Sequence, residues 1–249
     1  MSGHSKWHSI KHKKGALDAK RGKLFTKHAK LITIAARDGG ADPEMNPGLR
    51  SAITNAKADN VPNANIEKAI AKGAGGDKDG AQLAELMYEG FGPAGTAMYV
   101  QVITDNKNRS AANVRIIMQK NGGQMGGAGS VGHMFEKKGV ILAKAGSMDA
   151  DEAELAAIDA GAEDISVEDS EFEIITAPSD LMKVNDSLKG AGFEVGKAEF
   201  DFIGKNPVKI EDLENAKKVL KLVEALEDDE DVSNVYSNFD IPVEILEQV

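Results

Sequence analysis

TAMYVQVITDNKNRSAANVRIIMQKNGG (96–123) changes its period halfway along. Residues 96–104 alternate as a half-buried strand does. From Arg109 the apolar residues recur three and four apart, and Gly122-Gly123 stops the pattern, so 109–123 reads as a helix. A strand feeding a helix puts this part of the chain in the mixed α and β class.

Toward the N-terminus the character is different. GAGGDKDG (73–80) has no large apolar residue and reads as a linker. Everything before it reads as helical. From Gly22 to Arg37, Leu24, His28, Leu31, Ile32 and Ala35 share one face. Lys20, Lys23, Lys27 and Lys30 form a stripe about 120° away, expected to face outward. Arg21 falls on the apolar side, which predicts a helix start near Gly22. Asn46-Pro47 reads as N-cap and first helical residue. Leu49, Ala52, Ile53 and Ala56 form the next buried stripe, then Ile66, Ala69 and Ile70, with a stop at Gly73.

Toward the C-terminus, SVGHMFEKKGVILA (130–143) reads as a hairpin turning near Lys137–Gly139. There follow a helix (149–161), strands near 163–168 and 171–177, a helix (179–191), a strand (194–203), a helix (211–227) and a strand at 232–237. This order predicts a multidomain α and β protein: an N-terminal helical bundle plus two α+β, ferredoxin-like domains, one inserted in the other. The expected limits are 1–76 for the bundle, 77–145 with 206–249 for the discontinuous domain, and 146–205 for the insert. A βαββαβ unit is expected from 96–143 and 211–237.

Charge is divided unevenly. The chain of 249 residues has a formal net charge of −10, yet residues 1–30 hold nine Lys or Arg against Asp18 alone. Residues 1–75 carry 14 basic and 6 acidic groups; residues 76–249 carry 16 and 34. Such asymmetry suggests a nucleic-acid-facing end on a repelling body. A solvated Lys face on a helical domain is the alternative.

Several chemistries have little support. There is no cysteine, hence no disulfide and no thiolate. No apolar run approaches the ~20 residues that span a bilayer, and the basic start has no apolar stretch after it. A cytoplasmic location is expected, with no membrane partner. No G-x-S-x-G, H-E-x-x-H or Walker A pattern occurs. GAGSVG (127–132) matches G-x-G-x-x-G in the wrong context, since a helix precedes it and a strand follows; NGGQMGGAGSVG reads as a mobile connection. His4, His8 and His12 are spaced for one helix face, but the lysines among them repel a dication, so no metal site and no cofactor is expected. EDDED (227–231) reads as a solvated turn at a helix end, where negative charge is slightly unfavourable.

What remains is phosphate neutralisation by Lys6, Lys11, Lys13, Lys14, Lys20, Arg21, Lys23, Lys27 and Lys30, with His12 extending the basic arm. Trp7 either stacks on a base or anchors the arm. Lys107 and Arg109 either add phosphate contacts, cap a helix or hold domains together. No helix with Arg, Asn and Gln aimed at base edges is evident.

GHSKW (3–7), IKHKKGALDAKRGKLFTK (10–27), NPGLR (46–50), AKADNVPNANIEKAIAKG (56–73), YEGFGPAG (88–95), TDNKNR (104–109) and NGGQMGGAGSV (121–131) together resemble the signature blocks of the YebC/PmpR family. Its organellar relatives include the mitochondrial translational activator of cytochrome c oxidase subunit I. The resemblance is dense in the first 135 residues and looser beyond; Phe91 and Met125 stand where Tyr and Leu are expected. It implies three domains with one inserted in another, no enzymatic activity, and a nucleic-acid contact role for the basic arm. Members are described both as DNA-binding transcriptional regulators and as ribosome-associated translation factors. The expectation is therefore a non-catalytic, nucleic-acid-binding regulator of gene expression, first a DNA-binding transcriptional regulator, alternatively a factor on ribosomal or transfer RNA. A small-molecule enzyme working near the Gly-rich connection is the remote alternative.

Overall fold

The computed structural model describes residues 19–76, 83–168 and 170–249. They divide into two compact units. One holds residues 31–76 and 137–202; the other holds the start of the first helix up to Lys30, residues 83–136 and 203–249.

In the first unit the helical end is built from α1 (Ala19–Gly39, from Leu31 onward), α2 (Pro47–Ala58) and α3 (Asn63–Ala71). Ile32, Ile34, Ala36, Leu49, Ala56, Val61, Ile66 and Ala69 are buried among them. Asn46 is the N-cap of α2, as its position before Pro47 predicts. Its Oδ1 accepts from Leu49 N at 3.0 Å, and its amide donates to the Ala35 and Gly40 carbonyls, both at 2.8 Å. The α-helix ends at Ala71, two residues before the stop expected at Gly73. A π-type turn, Lys72–Gly76, follows it, with Gly75 at a φ of 93° outside helical geometry. Gly73 is also required by packing: a Cβ there would lie 2.3 Å from the Thr33 carbonyl oxygen.

The sheet of this unit is β4 (Phe135–Lys144), β5 (Asp164–Glu168), β6 (Glu171–Thr176) and β7 (Glu194–Gly204), in the order β5-β6-β4-β7. Helices α5 (Ala150–Ala160) and α6 (Leu181–Gly190) complete a βαββαβ run. Ala153 and Ala157 of α5 and Leu181, Val184 and Leu188 of α6 pack on Ile141, Phe172, Ile174 and Ala198. The ferredoxin-like unit therefore lies at 135–204, not across 96–143 and 211–237. The hairpin expected at 130–143 is one strand entered through a 3₁₀ turn, Gly132–Met134. It pairs with β6, with Ile141 opposite Ile174. EKKG does not turn because Val140, Ile141 and Ala143 are drawn into that core.

A sheet edge needs partners for its backbone groups. On β7, Asn55 and Ser51 of α2 provide them. Ala198 N donates to Asn55 Oδ1 at 3.1 Å, and Ser51 Oγ donates to Ala198 O at 2.5 Å. Arg50 also reaches Asp186 at 2.9 Å.

The second unit contains β1 (Ala84–Phe91), β2 (Ala97–Thr104), α4 (Lys107–Lys120), β3 (Gln124–Met125), β8 (Val208–Lys209), α7 (Leu213–Glu227), β9 (Val232–Ser237), β10 (Phe239–Asp240) and α8 (Val243–Leu246). Its main sheet runs β3-β1-β2-β9; β8 and β10 form a separate parallel pair. Val114 and Met118 of α4 and Val219, Leu222, Val223 and Leu226 of α7 bury Met98, Val100, Val102 and Val235 on one face of this sheet. One α+β domain is thus inserted in the sequence of another, behind a helical N-terminal region.

Candidate nucleic-acid interface

The lysine stripe can be followed from Lys23 onward. Lys6, Trp7, Lys11, His12, Lys13 and Lys14 lie outside the described residues, as does the side chain of Lys20. The helix begins by Ala19 rather than at Gly22, and Arg21 is exposed, not turned inward. Its guanidinium sits 5.6 Å from the centre of the Phe25 ring, one turn on. His28 is buried, as expected of a packed helix-face residue.

Lys23, Lys27 and Lys30 were expected to point to solvent. Lys23 is exposed and Lys27 and Lys30 are half-covered, and each also meets the C-terminal end of α7 or the acidic run that follows it. Lys23 Nζ donates to the Asp228 carbonyl at 3.2 Å, and Lys27 Nζ to the Glu227 carbonyl. Lys30 Nζ reaches the Ile103 and Glu230 carbonyls at 3.1 and 2.8 Å, and Asp231 Oδ1 at 3.0 Å. The last carbonyls of a helix lack partners within it and carry partial negative charge. The acidic run 227–231 adds to that field. Three ammonium groups laid along it supply the donors and the compensating charge, so this run is not simply a solvated turn.

Asp231 is the centre of the arrangement and is only 6% exposed. Its Oδ2 accepts from Arg109 Nη2 at 2.8 Å and from Thr104 Oγ1 at 3.1 Å. Burial pushes its carboxyl up, but the hydrogen bonds from Arg109 and Lys30 outweigh that and hold it below the ordinary carboxylate value. Arg109 also binds Asp105 at 2.8 Å; the bonds to Asp231 and Asp105 raise the basicity of its guanidinium further. Asn106 caps α4 by accepting from Arg109 N at 3.0 Å. The TDNKNR block is thus a helix start tied to a buried acid, and Arg109 is occupied by that acid. Lys107 is exposed at the first position of α4, where its carbonyl accepts from Tyr88 Oη.

The Gly-rich connection is pinned rather than mobile. Glu89, in the YEGFGPAG block, accepts from Gly129 N, Val131 N and Gly132 N, each at 2.7 Å. Burial pushes this carboxyl up, yet the three amide bonds win and hold it below its usual range. Successive N–H groups of this kind form a concavity for an anion, and here the chain's own carboxylate fills it. Gly90 is needed beside it because a Cβ would lie 2.4 Å from Gln124 O, where β3 passes.

Sequence reasoning missed Glu89 and Asp231. A glutamate inside a Gly-rich block was one available signal for the first. The second lies in the run EDDED, whose place at a helix end was the available signal; that it is buried and paired has no local mark, since its partners lie more than a hundred positions away.

Among the described residues, no helix is long and apolar enough to cross a membrane, and no group of three or more His, Cys, Asp or Glu is placed to hold a metal ion.

Residues 5–76 match the model of the TACO1/YebC protein N-terminal domain, and residues 83–239 match that of the TACO1/YebC second and third domain. A probable transcriptional regulatory protein from Fusobacterium nucleatum subsp. nucleatum is 53% identical over 249 residues, covering 100% of both chains. Another of that name from Geobacter sp. is 50% identical, again over 100% of both. The crystal structure of a conserved hypothetical protein from Aquifex aeolicus superposes with a TM-score of 0.83 at 44% identity, over 90% of this chain and 92% of that one. The chain belongs to the TACO1/YebC family.

Proposed function

We propose that this protein is a cytoplasmic, non-enzymatic regulator of gene expression that binds nucleic acid through its basic N-terminal region, acting first as a transcriptional regulator on duplex DNA. The observation that carries the reading is the full-length likeness to proteins named probable transcriptional regulatory proteins, 53% identical in one case. The charge distribution supports it: nine basic residues against one acid in residues 1–30 of a chain of net charge −10. Lysines displace condensed counterions from a polyanion, which drives sequence-independent affinity. The contact set is Lys6, Lys11, Lys13, Lys14, Lys20, Arg21, Lys23, Lys27 and Lys30, with Trp7 and His12 beside them.

Two parts of the set differ in kind. Lys23, Lys27 and Lys30 already hold α7 and Asp231, so a phosphate must compete for them. The lysines before Ala19 are the first points of contact. This reading puts no phosphate of a small molecule on the Gly-rich connection, where the amides of Gly129, Val131 and Gly132 are taken by Glu89.

The same chemistry serves ribosomal or transfer RNA, since phosphate neutralisation is indifferent to sequence. That second reading is a ribosome-associated translation factor. One competition separates them. The protein meets ribosomes and a duplex DNA pool together in near-physiological salt, beside a Lys11→Ala/Lys13→Ala/Lys14→Ala variant. Arm-dependent retention of particular DNA sequences supports the transcriptional reading. Arm-dependent partition to ribosomes supports the translational one. Binding of neither polymer, or binding indifferent to the arm, overturns both.

A further inference from the structure

We propose that the outer face of α4 is a second nucleic-acid contact surface, its ligand the phosphodiester backbone of duplex DNA; the inference rests on the nucleic-acid reading above. The starting point is charge. Residues 107–120 hold four basic residues, Lys107, Arg109, Arg115 and Lys120, and no acid, although acids outnumber bases 34 to 16 over residues 76–249. By contrast α5 (Ala150–Ala160) holds four acids and no base.

Geometry sorts the side chains of α4. At 100° per residue, Asn108, Ala112, Arg115 and Gln119 fall within about 60° of arc, with Ile116 and Lys120 along one border. All six are exposed, Ile116 by 47%. Ser110, Val114 and Met118 lie on the opposite side, buried. The acids that approach α4 do so near its N-terminal half and to one side of the stripe. Asp105 and Asp231 bind Arg109, and Asp229 accepts from Asn113 at 3.3 Å. The side chains of Arg115, Gln119 and Lys120 have no hydrogen-bond or ion-pair partner among the described residues.

The stripe is a set of donors without a carboxylate among them: a guanidinium that forks onto phosphate, an ammonium, and two amides. Ala112 at its middle leaves room for a backbone to come close. An acid three or four residues away on the same helix would stabilise such a cation, and residues 107–120 contain none. Phosphate contact is the use that suits a one-signed, unpaired face on an acidic body, where the surrounding field opposes any weaker anion.

The test measures salt dependence of binding to one DNA duplex and to one single-stranded ribosomal RNA fragment. Four proteins are compared: wild type, Arg115→Ala/Lys120→Ala, Arg115→Lys/Lys120→Arg, and Lys11→Ala/Lys13→Ala/Lys14→Ala. If Arg115 and Lys120 each meet one phosphate, the double-alanine variant binds more weakly. Its slope of log K against log salt becomes shallower by about 1.8 on the duplex or about 1.4 on the single strand. The charge-preserving variant keeps the wild-type slope. The change on the duplex supports the proposal; a change confined to the single strand overturns it. A double-alanine slope equal to wild type, while the arm variant is shallower, overturns the α4 surface and leaves the arm reading standing. No binding by the wild type overturns both. A thermal melt of each variant guards against unfolding, and both positions are exposed.

Discussion

Lys30 Nζ lies 3.0 Å from Asp231 Oδ1, across 201 positions of sequence, and the same carboxylate takes Arg109 and Thr104 on its other oxygen. One buried acid thus joins the first helix, the start of α4 and the end of α7 within a single unit. A lysine stripe that reads as a polyanion-binding face is, in part, the cap of another helix.

That dual use predicts a gradient of stability along the stripe. Removing Lys30 leaves Asp231 short of a charged donor and the Glu230 and Ile103 carbonyls without their ammonium. The expected cost of Lys30→Met is about 2 kcal/mol. Lys23 makes one exposed bond to a carbonyl, so Lys23→Ala should cost roughly 0.5 kcal/mol or less. Asp231→Asn should cost about 1–3 kcal/mol, since two cations lose their counter-charge. The folded-state pKa of Asp231 is depressed, so its contribution is present above the ordinary Asp value and is lost as pH falls through the lower folded value. Asp231→Asn should therefore flatten the acid limb of the stability curve. Urea unfolding of the three variants between pH 3 and 7 checks this; equal costs for Lys23 and Lys30 would contradict the geometry.

Glu89 gives a second prediction. Three amides at 2.7 Å converge on one carboxylate. Glu89→Gln keeps the shape but presents one acceptor oxygen and a donor that faces N–H groups. The cost should be about 1–3 kcal/mol. The loss should be local as well: amide hydrogen exchange at Gly129, Val131 and Gly132 should accelerate well beyond that of α7. Exchange rates unchanged at those three amides would mean that the loop is held by something other than Glu89.

The fold was legible where local chemistry and tertiary packing agree. Asn46-Pro47 announces a helix start because cap and first-turn geometry are properties of neighbouring residues. The elements from 149 to 203 fall within a few residues of their expected places for the same reason: each has a clear period and a clear stop. β1 was overlooked because AELMYEGF has no clean alternation. Only Gly90 in it is buried, and its other residues are half-covered or exposed. The 130–143 hairpin was misread because turn-forming residues at 137–139 outweigh packing in a local reading. The partners that straighten the strand, on β6, come thirty residues later. The candidate site was legible as charge and illegible as geometry. Composition alone places lysines at one end. Which of them are occupied depends on carbonyls 200 positions away, and no local pattern encodes that.

A third prediction concerns Asp201 on β7, in the other unit. Burial pushes its carboxyl up to about 7, with the Glu199 charge adding to the effect; the Phe202 amide and the Lys197 charge oppose it, and Glu173 pushes it up again. Glu173, on β6, is itself buried. Lys197 pairs with Glu199 at 2.6 Å, which leaves Asp201 without a cation of its own. The sign is opposite to that for Asp231. Below pH ~4 both the folded and the unfolded states hold the proton on Asp201, and nothing is lost. Between pH ~4 and about 7 the unfolded chain releases it and the folded chain does not, so this group lowers stability as pH rises. Asp201→Asn removes the penalty and should stabilise the protein at pH 8 by about 1–2 kcal/mol, below the full value of the shift because the residue keeps some solvent contact. At pH 4 the two proteins should be nearly equal. Urea unfolding at pH 4, 6 and 8 reads this directly. A variant less stable than wild type at pH 8 would show that the ionised carboxylate is a favourable partner of Lys197, with the triad Lys197, Glu199 and Asp201 sharing one cation.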